Sequence, residues 1–211
     1  VAKTYLLNNQ KFDGVINLEV FKIKYIPSSF DLKKYDALII TSKNAIYSLN
    51  SFNDDWTKIP CYAIAKKTAD IILKNGGIVE YTGSSGHGND FAKELKDKLA
   101  NKKVLYVRAK EVASNLVKIL KESNTDIDEL ITYETVCNDK LNIELEKNST
   151  IIFTSPSSVN CFFKNYSWDK SFNAIVIGKT TSKCLPNYVN FKISPVTSVE
   201  ECIKLSQMVT F

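Results

Sequence analysis

Histidine is almost missing from this chain. His87 is the one histidine in 211 residues, inside the loop Gly83-Ser84-Ser85-Gly86-His87-Gly88-Asn89. A histidine-based catalytic triad or metal cluster therefore has too few parts. The same loop lacks the Lys-Ser/Thr ending of a P-loop, and its position after Tyr81 does not suit a dinucleotide fingerprint. The five cysteines, Cys61, Cys137, Cys161, Cys184 and Cys202, are scattered and form no C-x-x-C pair. Neither a disulfide framework nor a zinc site is indicated, and a reducing cytoplasm is the expected home. No metal and no cofactor are expected. No apolar run is long enough to span a membrane, and no charged-then-apolar leader opens the chain. No dense Lys/Arg stripe alternates with aromatics, so nucleic acid is not an expected partner.

What is present is ordinary in bulk. Hydrophobic residues make up 44% and charged residues 24%, which suits a soluble globular protein. The length allows one large domain or two small ones. The formal charge of +5 is compatible with an acidic ligand, although scattered surface lysines account for it equally simply.

Short apolar runs alternate with helical patterns. Strands are expected at Lys3–Leu7, Ala37–Ile40, Ile59–Ile64, Ile78–Tyr81, Lys103–Val107, Ile127–Val136, Thr150–Phe153, Phe172–Ile177 and Tyr188–Ile193. A near-alternating stretch runs from Val15 to Ile26. Helices are expected at Asn44–Leu49, Lys66–Lys74, from an Asp90 cap through Leu99, at Glu111–Glu122, after Ser155, from Thr180, and from a Ser198-x-x-Glu201 capping box. Asn75-Gly76-Gly77 reads as a helix stop. This alternation implies an α/β fold with parallel sheets, and the unalternated apolar runs imply strands buried on both faces.

One pattern occurs twice. Ile39-Ile40-Thr41-Ser42 matches Ile152-Phe153-Thr154-Ser155, and Ile64-Ala65-Lys66-Lys67-Thr68 matches Ile177-Gly178-Lys179-Thr180-Thr181. Ser42 to Ser155 is 155 − 42 = 113 positions, and Thr68 to Thr181 is 181 − 68 = 113 again. A shared offset argues for duplication. The second copy lacks counterparts of Lys103–Glu122, and the strand Lys3–Leu7 can supply part of them. The expected layout is a discontinuous domain of residues 1–24 plus 137–211, an inserted domain of 25–136, and connecting strands near 21–27 and 130–137.

Each copy reads as a buried strand, then Ser/Thr, then a helix start, where free N–H groups can meet an anion. Thr41, Ser42, Lys43, Thr68, Arg108, Ser155, Ser157, Gly178 and Thr180 are the candidate binding residues. For any one turn, a plain N-cap explains the hydroxyl equally well. Gly178 either lets a ligand approach the backbone or satisfies a tight turn. Arg108 either clamps a carboxylate or is a solvated rim residue. Tyr133, in an expected connecting strand, can donate a hydrogen bond or a proton, or can be a half-buried strand tyrosine.

Val104-Leu105-Tyr106-Val107-Arg108, Ile131-Thr132-Tyr133-Glu134-Thr135-Val136 and the duplicated segments, in this order, resemble the uroporphyrinogen-III synthase family. The resemblance covers nearly the whole chain. Ala65 and Ala109 stand where that family often has glycine, and Lys179 where proline is frequent. The resemblance implies two similar parallel-sheet, flavodoxin-like domains joined by a two-stranded linker. It implies cyclisation of hydroxymethylbilane with inversion of the last pyrrole ring and loss of water. It also implies a cofactor-free lyase whose small-molecule partner is that tetrapyrrole, with Tyr133 and Thr181 as catalytic candidates. Helix N-termini of both lobes are then expected to face a common cleft. A cytoplasmic monomer is expected. The rival readings are a two-lobed anion-binding protein without chemistry, and a scaffold in which every Ser/Thr turn is only a cap.

Overall fold

The computed structural model describes residues 2–28, 30–52, 54–139 and 141–208. The chain divides into two compact units, Val1–Lys22 with Thr135–Phe211, and Ile23–Glu134.

The continuous unit carries most of a six-stranded sheet. Its strands are β3 (Phe21–Tyr25), β4 (Ala37–Ile40), β5 (Pro60–Ala63), β6 (Ile78–Thr82), β7 (Lys103–Ala109) and β8 (Asp126–Cys137), in the order β3-β8-β7-β4-β5-β6. β4 pairs in parallel with β5 and β7, β5 with β6, and β7 with β8. The helices are α1 (Lys43–Asn50), α2 (Lys66–Lys74), α3 (Gly88–Leu95) and α4 (Leu116–Lys121). Every side chain of β4 is buried: Leu38 and Ile40 enter one apolar cluster, and Ala37 and Ile39 the cluster on the other face. Fully burying each such Leu or Ile is worth about 1.5–3 kcal/mol.

The discontinuous unit holds a five-stranded sheet. β1 (Thr4–Leu6), β2 (Ile16–Asn17), β9 (Thr150–Phe153), β10 (Asn173–Val176) and β11 (Phe191–Ile193) take the order β11-β10-β9-β1-β2, all in parallel. Its helices are α5 (Pro156–Asn165), α6 (Lys179–Ser182) and α7 (Val199–Met208). Ile151 and Phe153 face one cluster and Ile152 the other.

The duplication extends through five elements. β4, α1, β5, α2 and β6 begin at 37, 43, 60, 66 and 78, and β9, α5, β10, α6 and β11 begin at 150, 156, 173, 179 and 191. Each difference is 113, as in 150 − 37 and 191 − 78. β1 then pairs with β9 as β7 pairs with β4.

Local chemistry explains the helix ends. α2 stops in a Schellman turn, with Gly76 at φ +80°, Gly76 N–H on the Leu73 carbonyl and Gly77 N–H on the Ile72 carbonyl, both at 3.0 Å. Buried Trp56 packs over Gly77, where a Cβ would lie 2.4 Å from its ring.

Four expectations are corrected. α3 starts at Gly88, with His87 rather than Asp90 at its cap position and no side-chain capping bond; Asp90 sits in the first turn. α4 covers only 116–121 of the expected 111–122, and Val112 in the lost part is 42% exposed. The Asn115 N–H is taken by the Asn89 side chain at 2.8 Å, which holds the preceding backbone out of the helix. The Ser198 hydroxyl accepts from Glu201 N–H at 3.2 Å, but the Glu201 carboxylate pairs with Lys204, so the capping box is only half made. Finally, Cys137 and Cys161 form a disulfide, their Cα atoms 5.1 Å apart, while Cys61, Cys184 and Cys202 are free. The end of β8 and the middle of α5 meet in the fold, which spacing along the chain does not reveal. No helix among the described residues is long and apolar enough to cross a membrane.

Candidate active site

In both units the Ser/Thr candidates follow the C-terminal ends of parallel strands, where open α/β sheets take ligands, while Arg108 lies in the last residues of β7 and Tyr133 within β8. The continuous unit carries Thr41, Ser42, Lys43, Thr68, Arg108 and Tyr133; the other carries Ser155, Ser157, Gly178, Thr180 and Thr181.

β4 ends at Ile40, and Ser42, in extended conformation, caps α1 by accepting from Asn44 N–H at 3.2 Å. Lys43 is the first helical residue and is exposed. On the same side of the sheet, Tyr133 of β8 packs against α1. The approach depends on an irregularity in β8. Arg108 pairs with Ile131, but the next residue, Ala109, pairs with Tyr133, so Thr132 is an extra residue in β8. This bulge breaks the in-out alternation. Leu130 and Tyr133, three apart, consequently enter the same apolar cluster, the one that contains Ala45, Ile46 and Leu49 of α1. Tyr133 is 6% exposed. Burial raises its phenol above the ordinary value of 10.0, while the Ser42 hydroxyl partly offsets the rise. The phenol therefore stays protonated at neutral pH and is a donor.

On the other sheet face, the Tyr106 hydroxyl lies 3.1 Å from Thr41 Oγ1. Tyr106 is 2% exposed, and its phenol is raised chiefly by burial; hydrogen bonds from Thr41 and Ser114 oppose the shift. A Cβ on Gly88 would fall 2.5 Å from Ser114, so glycine lets the Ser114 loop close on this tyrosine. Arg108 donates to the Glu129 carboxylate and to the Ala109 and Lys110 carbonyls at 2.7 and 3.0 Å. These three acceptors all belong to its own unit.

The helix starts are not equivalent. α5 satisfies itself: Ser155 accepts from Ser158 N–H, the Ser158 hydroxyl accepts from Thr154 and Ser155 N–H, all at 3.1 Å, and Pro156 has no N–H. Ser157 is half-buried beside this box. α2 and α6 instead have Ala65 and Gly178 at the cap position and no side-chain cap. Their first amides lack the side-chain acceptor that α1 and α5 possess, so the positive end of the helix dipole is less quenched there. Thr68 and Thr181 are buried at 8% and 3%, and Thr180 is exposed. Gly178 has an extended φ of 179°, and a Cβ there would meet Thr197 Oγ1 at an ordinary 3.7 Å. The tight-turn explanation of Gly178 is therefore set aside.

Sequence reasoning missed Tyr106, Thr132 and Ser48. Tyr106 read as one more buried strand residue, and a bulge leaves no mark in an apolar pattern.

A family model described as uroporphyrinogen-III synthase HemD matches residues 18–201. No curated protein sequence gives a significant match. Among solved structures, the chain is similar to uroporphyrinogen-III synthetase from Helicobacter pylori, at 26% identity and TM-score 0.83, over 98% of this chain and 99% of that one. It is also similar in fold to a mutant uroporphyrinogen III synthase from Thermus thermophilus, at 14% identity and TM-score 0.58, over 98% and 96%. With the family model spanning most of the chain and the parallel-sheet fold matched end to end, the chain belongs to the uroporphyrinogen-III synthase family.

Proposed function

We propose that the chain closes hydroxymethylbilane to uroporphyrinogen III as a hydro-lyase, with Tyr133 as the proton donor. Its family membership puts its main function in tetrapyrrole biosynthesis. The observation that carries the catalytic reading is the Tyr133 side chain, 6% exposed, packed against α1 and level with Ala109 at the end of β7.

In this reading the hydroxymethyl C–O bond breaks, and the oxygen takes the Tyr133 proton and leaves as water. The pyrrole nitrogen pushes electrons into the gap and forms an azafulvene. The substituted position of the terminal ring attacks it, giving a spiro intermediate that rearranges to the inverted macrocycle. The proton released at the end restores the phenol. Most of the rate advantage comes from positioning, because the linear substrate closes unaided to the uninverted isomer.

The open starts of α2 and α6, with Thr68, Gly178, Thr180 and Thr181, are proposed carboxylate contacts, as are Lys43, Lys66 and Lys179. Each terminus contributes roughly 0.3–1 kcal/mol, more when partly buried. Thr181 orients a carboxylate or the departing hydroxyl. Ser42 and Ser155 act chiefly through the shape of their turns, since their hydroxyls already accept from backbone N–H groups; Thr41 and Ser157 are further proposed carboxylate contacts. The reaction needs no cofactor, and a cytoplasmic monomer suffices. The flavodoxin-like character of each unit and the use of β3 and β8 as a two-stranded connector belong to the same proposal; the unit boundaries fall within these two strands.

The test is to mix the protein with freshly made hydroxymethylbilane, oxidise the products and resolve isomers I and III. Isomer III in excess supports the proposal. Isomer I alone, at the uncatalysed rate, rejects it.

A further inference from the structure

The core beneath Tyr133 contains one polar contact that packing does not require. Ser48 on α1 and Thr132 on β8 are both 0% exposed, and their hydroxyls are hydrogen-bonded at 2.6 Å. Ser48 also donates to the Ala45 carbonyl at 2.8 Å. Their chain neighbours Leu49 and Tyr133 belong to the apolar cluster. Replacing two such partners with apolar groups of similar shape is often neutral or stabilising, so the fold gains little energy from keeping them polar.

Their location gives them another use. Thr132 is the extra residue of the β8 bulge, and Ser48 is on the helix that Ser42 caps. A bulge can slide, and sliding by one residue would turn Tyr133 to the opposite face. A directional bond from the bulge residue to α1 locks both the position of the bulge and the register of α1 along β8. The Thr132 carbonyl is separately bound by Ile26 N–H at 2.8 Å, and the Tyr133 carbonyl by Lys110 N–H at 2.8 Å, which hold the backbone on either side.

We infer that Ser48 and Thr132 form a positioning pair that seats Tyr133 against α1, and so set the yield of the inverted isomer rather than the stability of the fold. The pair touches no substrate and acts only through Tyr133. The inference rests on the functional reading given above.

The experiment compares wild type, Ser48→Ala, Thr132→Val and the double variant, each in urea unfolding and in the isomer-resolved assay. Ser48→Ala leaves the buried Thr132 hydroxyl without its partner and lowers the urea midpoint, whereas in Thr132→Val the Ser48 hydroxyl keeps the Ala45 carbonyl and the midpoint falls less. The double variant recovers a midpoint close to wild type. Its kcat nevertheless stays down by about tenfold, with KM within roughly twofold and a larger share of isomer I, because the phenol is misplaced rather than lost. A double variant with wild-type kcat and isomer ratio overturns the inference. So does a double variant as unstable as Ser48→Ala, since the pair would then be structural. Wild type that makes no excess of isomer III defeats the functional reading and this inference with it, a failure visible before any variant is assayed.

Discussion

Replacing Tyr133 with Phe removes one hydroxyl and leaves the ring in its cluster. The structural cost is at most that of one hydroxyl hydrogen bond, about 0.5–1.5 kcal/mol. A protein of this length loses roughly 2–4 °C in Tm per kcal/mol, so a small downward shift is expected. With a total stability of about 5–15 kcal/mol, the variant remains almost entirely folded at 25 °C. The catalytic cost is of another order. A general acid contributes about 10²–10⁴ in rate, which is about 2.7–5.5 kcal/mol of barrier. Turnover of hydroxymethylbilane by Tyr133→Phe should therefore fall at least about a hundredfold, and the product should drift toward isomer I as unaided closure catches up. The pH dependence has a definite sign. Burial raises the Tyr133 phenol above 10.0, so the protonated donor persists through neutral and mildly alkaline pH and is lost only above that value. Single-turnover assays on freshly prepared substrate, with isomers separated after oxidation, give both rate and ratio. A variant with kcat within twofold of wild type and an unchanged isomer ratio would show that the proton comes from elsewhere.

Cys137→Ser should destabilise the discontinuous unit by about 3 kcal/mol in the chain-entropy view of a cross-link, given the 24-residue separation of Cys137 and Cys161; thermal melts with and without reductant check this, and identical melts would argue against the bridge. Gly77→Ala drives a methyl group into the Trp56 ring at 2.4 Å and should cost about 1–3 kcal/mol, measured as a lower urea midpoint. Tyr35 is pushed up to about 12, first by burial and then by its bond to Asp128 at 2.8 Å. Its folded value lies above its unfolded one, so its contribution is complete below pH 10 and disappears as pH climbs toward 12; Tyr35→Phe should make the urea midpoint less pH-sensitive in that window, and an unchanged slope would refute the assignment.

The parallel α/β plan was legible because β4 and β9 are short apolar runs buried on both faces, and because the repeated Thr-Ser turn marks where each ends. Helix stops with a chemical signature, such as Asn75-Gly76-Gly77, were legible as well. The start of α4 was not, because Glu111–Glu122 has helical periodicity while the fold diverts the Asn115 amide to Asn89, a partner far along the chain. In the candidate site, sequence pointed to Tyr133 and Ser42 separately. The place of Tyr133 against α1 depends on an extra residue at Thr132, and periodicity carries no information about where a strand bulges. The Ser/Thr turns looked equivalent in sequence; only side-chain geometry separates the self-satisfied α5 from the uncapped α2 and α6.

The pairing of β1 with β9 has a consequence for biosynthesis. Thr4 sits beside Thr150, so a ribosome must deliver most of the polypeptide before β1, already beside β2, finds its second neighbour. The segment Ile23–Glu134 contains its own strand partners and can mature while translation continues. Nascent chains should therefore acquire protease resistance in the middle of the sequence first, with the amino-terminal strand waiting, its edge open, for the last third to emerge.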